Sequence, residues 1–343
     1  MAQEYQYKPL KEPDSIRLIE LQPSSDSAAA IRCSLVHTTL SSEDLQDLLT
    51  HYTALSYVWG CPDKVETIWV DNIALKITAS LSAALHDLRD EKNSFLLWAD
   101  GICINQVDNE GKGAQVRLMG RIYGEATNTI IYLGPAGAES HECQCLRNVR
   151  QGHPPSDVQL LSILGKEWFT RVWVFQELVF AVNPWVQCGK ARVRWKTVSK
   201  ALRNMNADSL DAIQKKRFEI ISRMYRAWEN HQSAQRPTTL QDADMPKQSE
   251  RQTSQNSMLK LVTDRRALGV SDPRDMVFAH IGFATDGENG DLKVDYSKTT
   301  EQVYLDFALF IKKKHGWGNL LECVGDRNIP SYVKDLPSWV PDW

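Results

Sequence analysis

With 343 residues, the chain is long enough for a substantial core and for one large or two unequal domains. Hydrophobic residues make up 42% and charged residues 24%, and the net charge is -3, an ordinary globular balance with no electrostatic basis for binding nucleic acid or an anionic membrane. No apolar stretch reaches the roughly 20 residues that span a bilayer, and no hydrophobic leader follows Met1, so a soluble cytoplasmic protein is expected.

Residues 16–21 and 30–36 alternate like the two strands of an N-terminal hairpin. Residues 52–60 form a short strand that runs into a glycine turn. Residues 66–70 and 73–77, reversed by Asp71-Asn72, make a second hairpin. A helical pattern over 80–88 follows. Residues 95–98 and 129–133 are short apolar runs of the kind that form buried strands. Between them Val116, Met119, Ile122, Tyr123 and Ala126 recur at helical spacing, which gives a strand–helix–strand unit. Gly111-Lys112-Gly113 is expected to free the backbone before a helix starting near Ala114. The connection over 99–108, at the C-terminal end of the first of these strands, carries Asp100, Cys103, Asn105, Gln106 and Asp108. That is where α/β folds place their chemistry.

Beyond Gly134 a polar stretch leads to a helix over 157–164. A dense aromatic cluster over 167–178 then places Phe169, Val172, Trp173 and Gln176 on one helical face. Residues 195–225 read as helical. Residues 229–257, rich in Gln, Ser, Thr, Asp and Pro, are expected to be a flexible loop. An amphipathic helix over 299–313 turns Val303, Phe307, Phe310 and Ile311 inward, and a Pro/Trp segment over 336–343 docks on the body. The expected fold is α/β, three-layered, with a mostly parallel central sheet and N-terminal hairpin over 1–194. A mainly helical subdomain occupies 195–343.

Seven cysteines are scattered along the chain; Cys143 and Cys145 are too close for the usual zinc pair, so free thiols and no metal are expected. Loops of the GxxxxGK type, HExxH pairs, GxSxG elbows and paired CxxC motifs do not occur. Cys103 has no histidine close in sequence to activate it and reads as a buried small hydrophobe.

Three segments in order, YTALSYVWG at 52–60, LWADGICINQ at 97–106 and WFTRVWVFQE at 168–177, resemble the heterokaryon-incompatibility (HET) domain of filamentous fungi. Gln115, Met119, Ile122, Tyr123 and Ala126 continue the second segment. The likeness covers about 50–181 and extends more loosely through 272–275 and 295–297 to 337–343, as in a minimal member or a piece of a longer one. It implies nonself recognition and cell-death signalling, with self-association or a partner signalling protein. HET domains have in turn been likened to TIR domains, some of which hydrolyse NAD. Ser56-Tyr57 is similar to a TIR strand end, and Trp173 with Glu177 to the TIR tryptophan–glutamate element. On that likeness NAD is a substrate, no cofactor is required, and Glu177 is the catalytic carboxylate. Ser56, Tyr57, Trp59, Asp100, Asn105, Arg171 and Trp173 are the candidate substrate-binding residues.

A carboxylate near the ribose C1′ would stabilise an oxocarbenium-like transition state while aromatic rings hold the nicotinamide. Glu177 would equally serve as a surface partner for Arg171, Asp100 as a loop cap, and Tyr57 and Trp59 as core. The alternatives are therefore a non-catalytic signalling module, or an enzyme of the same fold acting on another small molecule.

Overall fold

The computed structural model describes residues 5–40, 51–235, 257–266, 268–287, 291–324, 333 and 335–343. The strands are β1 (Ser15–Leu21), β2 (Arg32–Thr39), β3 (Tyr52–Tyr57), β4 (Glu66–Val70), β5 (Ile73–Ile77), β6 (Phe95–Trp98), β7 (Asn128–Tyr132), β8 (Pro184–Cys188) and β9 (Ala191–Arg194). They form one nine-stranded sheet in the order β5-β4-β2-β1-β6-β3-β7-β8-β9. The helices are α1 (Ala79–Leu88), α2 (Asp100–Cys103), α3 (Asn109–Glu125), α4 (His141–Gln151), α5 (Asp157–Leu164), α6 (Val174–Phe180), α7 (Trp195–Arg203), α8 (Ala212–Ala234), α9 (Met258–Arg265), α10 (Asp275–Ile281) and α11 (Thr300–Glu322).

The sheet is mixed, which corrects the expectation of a mostly parallel one. Parallel pairing joins β6, β3, β7 and β8 and also β2 with β4, while β1–β2, β1–β6, β4–β5 and β8–β9 are antiparallel. For β4–β5 and β8–β9 the short reversals make this unavoidable, since a two-residue turn can only return a strand antiparallel. Asp71 and Asn72, with φ of 50° and 65°, supply the left-handed pair that a tight hairpin needs. Gly189, at φ 52°, turns β8 into β9 where a Cβ would lie 2.3 Å from the Ala136 carbonyl oxygen. That last hairpin was not foreseen.

The chain clusters into two compact units. The first comprises residues 1–106, 121–170 and 177–234, and the second 107–120, 171–176 and 235–343. In this grouping α7 and α8 stay with the sheet, unlike the expected division after residue 194. The reason is the inward face of α7, on which Trp195, Val198 and Leu202 are buried, with Trp195 tilted against the rings of Trp168 and Phe169. Of the loop expected over 229–257, residues 229–234 continue α8, and 236–256 lie outside the described residues.

In the first unit, β3 runs between β6 and β7 in parallel register: Ala54 faces Trp98 on one side and Thr129 on the other. The tyrosines lock the crossing helix onto this strand. Tyr52 donates to the Ile122 carbonyl at 2.6 Å and Tyr123 to the Leu55 carbonyl at 3.0 Å. β6 stops at Trp98, so Ser56 and Tyr57 extend β3 beyond it, paired only with Ile131 and Tyr132 of β7. The turn of α2 begins at this step.

In the second unit, α3 begins at Asn109, five residues before its expected start. The Asp108 carboxylate accepts from the Gly111 N–H at 3.0 Å, a cap that outweighs the poor helix propensity of the two glycines. A Cβ on Gly111 would meet Asp108 Oδ2 at 2.4 Å, and one on Gly113 the Val294 carbonyl at 3.2 Å. α11 is capped by Thr299 through a reciprocal Thr299/Gln302 box and buries Val303, Phe307, Phe310 and Ile311, as its spacing indicates. It is kinked at Gly316. The C-terminal segment docks within this unit, with Trp343 edge-on to Phe307 at 4.8 Å and Arg266 donating to the Asp342 carbonyl.

Candidate functional site

The site in the first unit is built on the step where β3 outruns β6. Ser56 Oγ accepts a hydrogen bond from the Trp168 indole N–H at 2.7 Å and donates one to Glu177 Oε2. Trp168 comes from a single 3-10 turn (Glu167–Thr170), and Glu177 from α6. The relative exposures are 1% for Ser56, 0% for Trp168 and 7% for Glu177, so the bonds lie in a water-poor setting where they are strong. Glu177 is therefore not the surface partner of Arg171 that was one alternative.

Tyr57, the next residue on β3, is buried and hydrogen-bonds the Asp100 carboxylate. Burial pushes its hydroxyl well above the usual tyrosine range, and the charges of Asp100 and then Glu177 add to this, so Tyr57 is a neutral donor lying between two carboxylates. Asp100 also accepts from the Trp59 indole at 2.9 Å and from the Gly101 N–H at 2.7 Å. Asp100 thus caps its own turn and gathers both aromatics of the β3 end. The turn is anchored from behind: Arg17 donates to the Cys103 carbonyl at 3.0 Å and Tyr7 to the Ile102 carbonyl at 2.9 Å.

Tyr123, on α3, is also raised by burial first and then by the charge of Glu177. The Cys103 thiol is pushed up to about 12 by burial and lies against the Ala99 N–H, so it packs as an inert small group. Asn105, half-buried, follows α2 by two residues.

The remaining two candidates belong to the second unit's own bonding. Arg171 forms an isolated bridge with Gly269, and its guanidinium lies 3.5 Å from Ser271 Oγ. Trp173 donates its indole N–H to Asp275 at 3.0 Å. Neither residue is on a helix with Glu177, as their spacing had suggested. The backbone leaves the 3-10 turn at Thr170, bonds Gly269 through Val172, and enters α6 only at Val174.

Two residues important to the geometry were missed. Trp168 is one, although a buried tryptophan usually finds an acceptor for its N–H. Gly101 is the other: a Cβ there would lie 2.6 Å from the Tyr57 hydroxyl, so only glycine admits that side chain. Among the described residues, no group of three or more His, Cys, Asp or Glu could hold a metal ion. No helix among them is long and apolar enough to cross a membrane.

Residues 52–177, the span from β3 to Glu177, match the family described as heterokaryon incompatibility protein (HET). The chain is also similar to heterokaryon incompatibility protein 6, OR allele, of Neurospora crassa, with 27% identity over 97% of this chain. The chain spans 58% of that relative's length. No solved structure matches it.

Proposed function

Because the chain belongs to the heterokaryon-incompatibility family, we propose that it acts in fungal nonself recognition and cell-death signalling, and that its first unit cleaves the nicotinamide–ribose bond of NAD through Glu177. The supporting observation is the placement of Glu177. A carboxylate is held by a buried serine at the C-terminal end of a parallel strand, and a second carboxylate, Asp100, opens the helical turn that follows the neighbouring strand. In this reading the C1′–N bond breaks with its electron pair passing to the pyridinium nitrogen, which leaves as neutral nicotinamide. Water adds to C1′ and loses a proton, giving ADP-ribose. Glu177 stabilises the positive charge that builds on the ribose, Asp100 orients a ribose hydroxyl, and Tyr57 and Trp59 flank the ring. The three-layer, TIR-like arrangement belongs to this reading, as does activation by self-association or by a partner signalling protein.

Purified protein incubated with NAD, with and without an oligomerising agent, is expected to release nicotinamide. Glu177→Gln is expected to lower turnover by about 100-fold or more with little change in melting temperature. An equally active variant removes Glu177 from the mechanism. One observation favours a second reading, a non-catalytic signalling module: Ser56 and Glu177 are almost wholly enclosed, as in an internal structural network. Absence of NAD binding and of nicotinamide release under every assembled condition, with Glu177→Gln strongly destabilised, would establish that reading instead.

A further inference from the structure

We propose that Trp168 is a positioning residue for Glu177: its indole N–H fixes the Ser56 hydroxyl as a donor, so that Glu177 is held as a carboxylate and works as an anion, not as an acid. The proposal rests on Glu177 being the group that faces the ribose, and adds what sets its charge.

An indole nitrogen donates and cannot accept. Trp168 Nε1 lies 2.7 Å from Ser56 Oγ, so the serine oxygen must accept there. A serine hydroxyl carries one proton, and the other partner of Ser56 Oγ is Glu177 Oε2. Suppose instead that Oε2 were protonated and donated to the serine. The Ser56 proton would then be stranded, since among the described residues Ser56 Oγ has no third partner, and the residue is buried. The arrangement at Oε2 therefore runs one way, from indole to hydroxyl to carboxyl oxygen; each donor polarises the next, and a hydroxyl donated to a carboxyl favours its charged form.

The indole is itself held in place. Phe169 sits edge-on to it at 5.1 Å, and Trp195 lies tilted at 6.4 Å. With no exposed surface, Trp168 is out of reach of a substrate and acts through Ser56. An anion in this position suits a reaction whose transition state gathers positive charge on a sugar carbon. A neutral acid would contribute little.

The test follows the Glu177 carboxyl by carbon-13 NMR through a pH titration of the folded protein, its signal identified by loss in Glu177→Gln. Trp168→Phe removes the N–H. Trp168→benzothienylalanine replaces it by sulfur at nearly constant shape, and decides the matter where the phenylalanine variant does not fold. Both are expected to raise the Glu177 midpoint by about one pH unit, and Ser56→Ala by at least as much, with near-ultraviolet circular dichroism retained. An unchanged midpoint in the folded benzothienylalanine variant overturns the proposal. Nicotinamide release from NAD over the same pH range is a separate readout, in which the acid limb is expected to move with the midpoint. A shifted midpoint with no release in any variant supports the role of Trp168 and removes the NAD reading alone.

Discussion

In the second unit the Trp173 N–H and the Tyr296 hydroxyl donate straight to Asp275, at 3.0 and 2.7 Å, whereas in the first the Trp168 N–H reaches Glu177 through Ser56. The direct arrangement binds together backbone from 171–176, 272–275 and 295–298. Arg274 reinforces it with a two-point pair to Asp272 and bonds to the carbonyls of Tyr296 and Lys298, and the Lys112 ammonium sits 4.0 Å over the Tyr296 ring. Burial raises the Asp275 carboxyl even though Trp173 and Tyr296 both stabilise its charge. Such a network holds the fold. The relay instead aims the Ser56 hydroxyl at Glu177 in a nearly closed space, so perturbing it is expected to change charge more than stability.

The largest test of this contrast is acid. His280, buried on α10, is pushed down to about 3 by burial and then by the nearby Arg265 charge, against a backbone hydrogen bond at Ala279 that favours the charged form. The folded state therefore binds fewer protons than the unfolded state between about pH 3 and 6.5. Stability is full above the unfolded value and falls as pH drops through that window, by up to about 4 kcal/mol. Asp275 acts with the opposite sign, since its raised folded value lets acid relieve a penalty, and it softens the fall without reversing it. Urea denaturation across this range is expected to show the loss, and His280→Leu to abolish most of it. A variant as acid-labile as the wild type would assign the lability elsewhere.

Next in size is Asp275→Ala, which leaves the Trp173 and Tyr296 donors without their acceptor and is expected to cost about 2–3 kcal/mol in equilibrium unfolding. Ser56→Ala removes the middle of the relay and is expected to cost less, about 1–2 kcal/mol, since only the indole donor and one carboxylate oxygen lose a partner. If the serine variant proved the more destabilising, the relay would be the structural network and the division drawn here would be reversed.

What the sequence reveals about these regions follows from the range of the forces involved. The strand–helix–strand unit from β6 to β7 was legible because 95–98 and 129–133 are short, apolar and separated by a helical spacing, all local signals. The inward face of α11 was legible for the same reason. The start of α3 was misjudged because glycine propensity was weighed without the Asp108 cap. Trp173 was placed on the wrong element because the Arg171–Gly269 bridge is made by backbone 98 residues away in sequence, which no periodicity records. Ser56, Tyr57 and Glu177 were named from the resemblance, and Asp100 from its place just after the strand over 95–98. The indole that organises two of them was not, since its hydrogen bond spans 112 residues.

The smallest predicted effect compares one chemical change in both units. Trp59→Phe and Trp173→Phe each delete a single indole N–H bonded to a carboxylate, at 2.9 and 3.0 Å. Both tryptophans are half-buried, so lost packing is similar and the difference reports on the acceptors. Asp100 keeps the Gly101 N–H and the Tyr57 hydroxyl and is itself half-exposed, so water can replace the lost donor. Asp275 keeps the Tyr296 hydroxyl, and its carboxyl is already penalised by burial. Trp173→Phe is therefore expected to cost about 1–1.5 kcal/mol and Trp59→Phe below about 0.7 kcal/mol, read as shifts in the urea midpoint at constant slope. Equal costs would mean that the Asp100 end of the first site is as closed to water as the Asp275 network. A ribose hydroxyl could then reach Asp100 only after the Trp59 bond had opened.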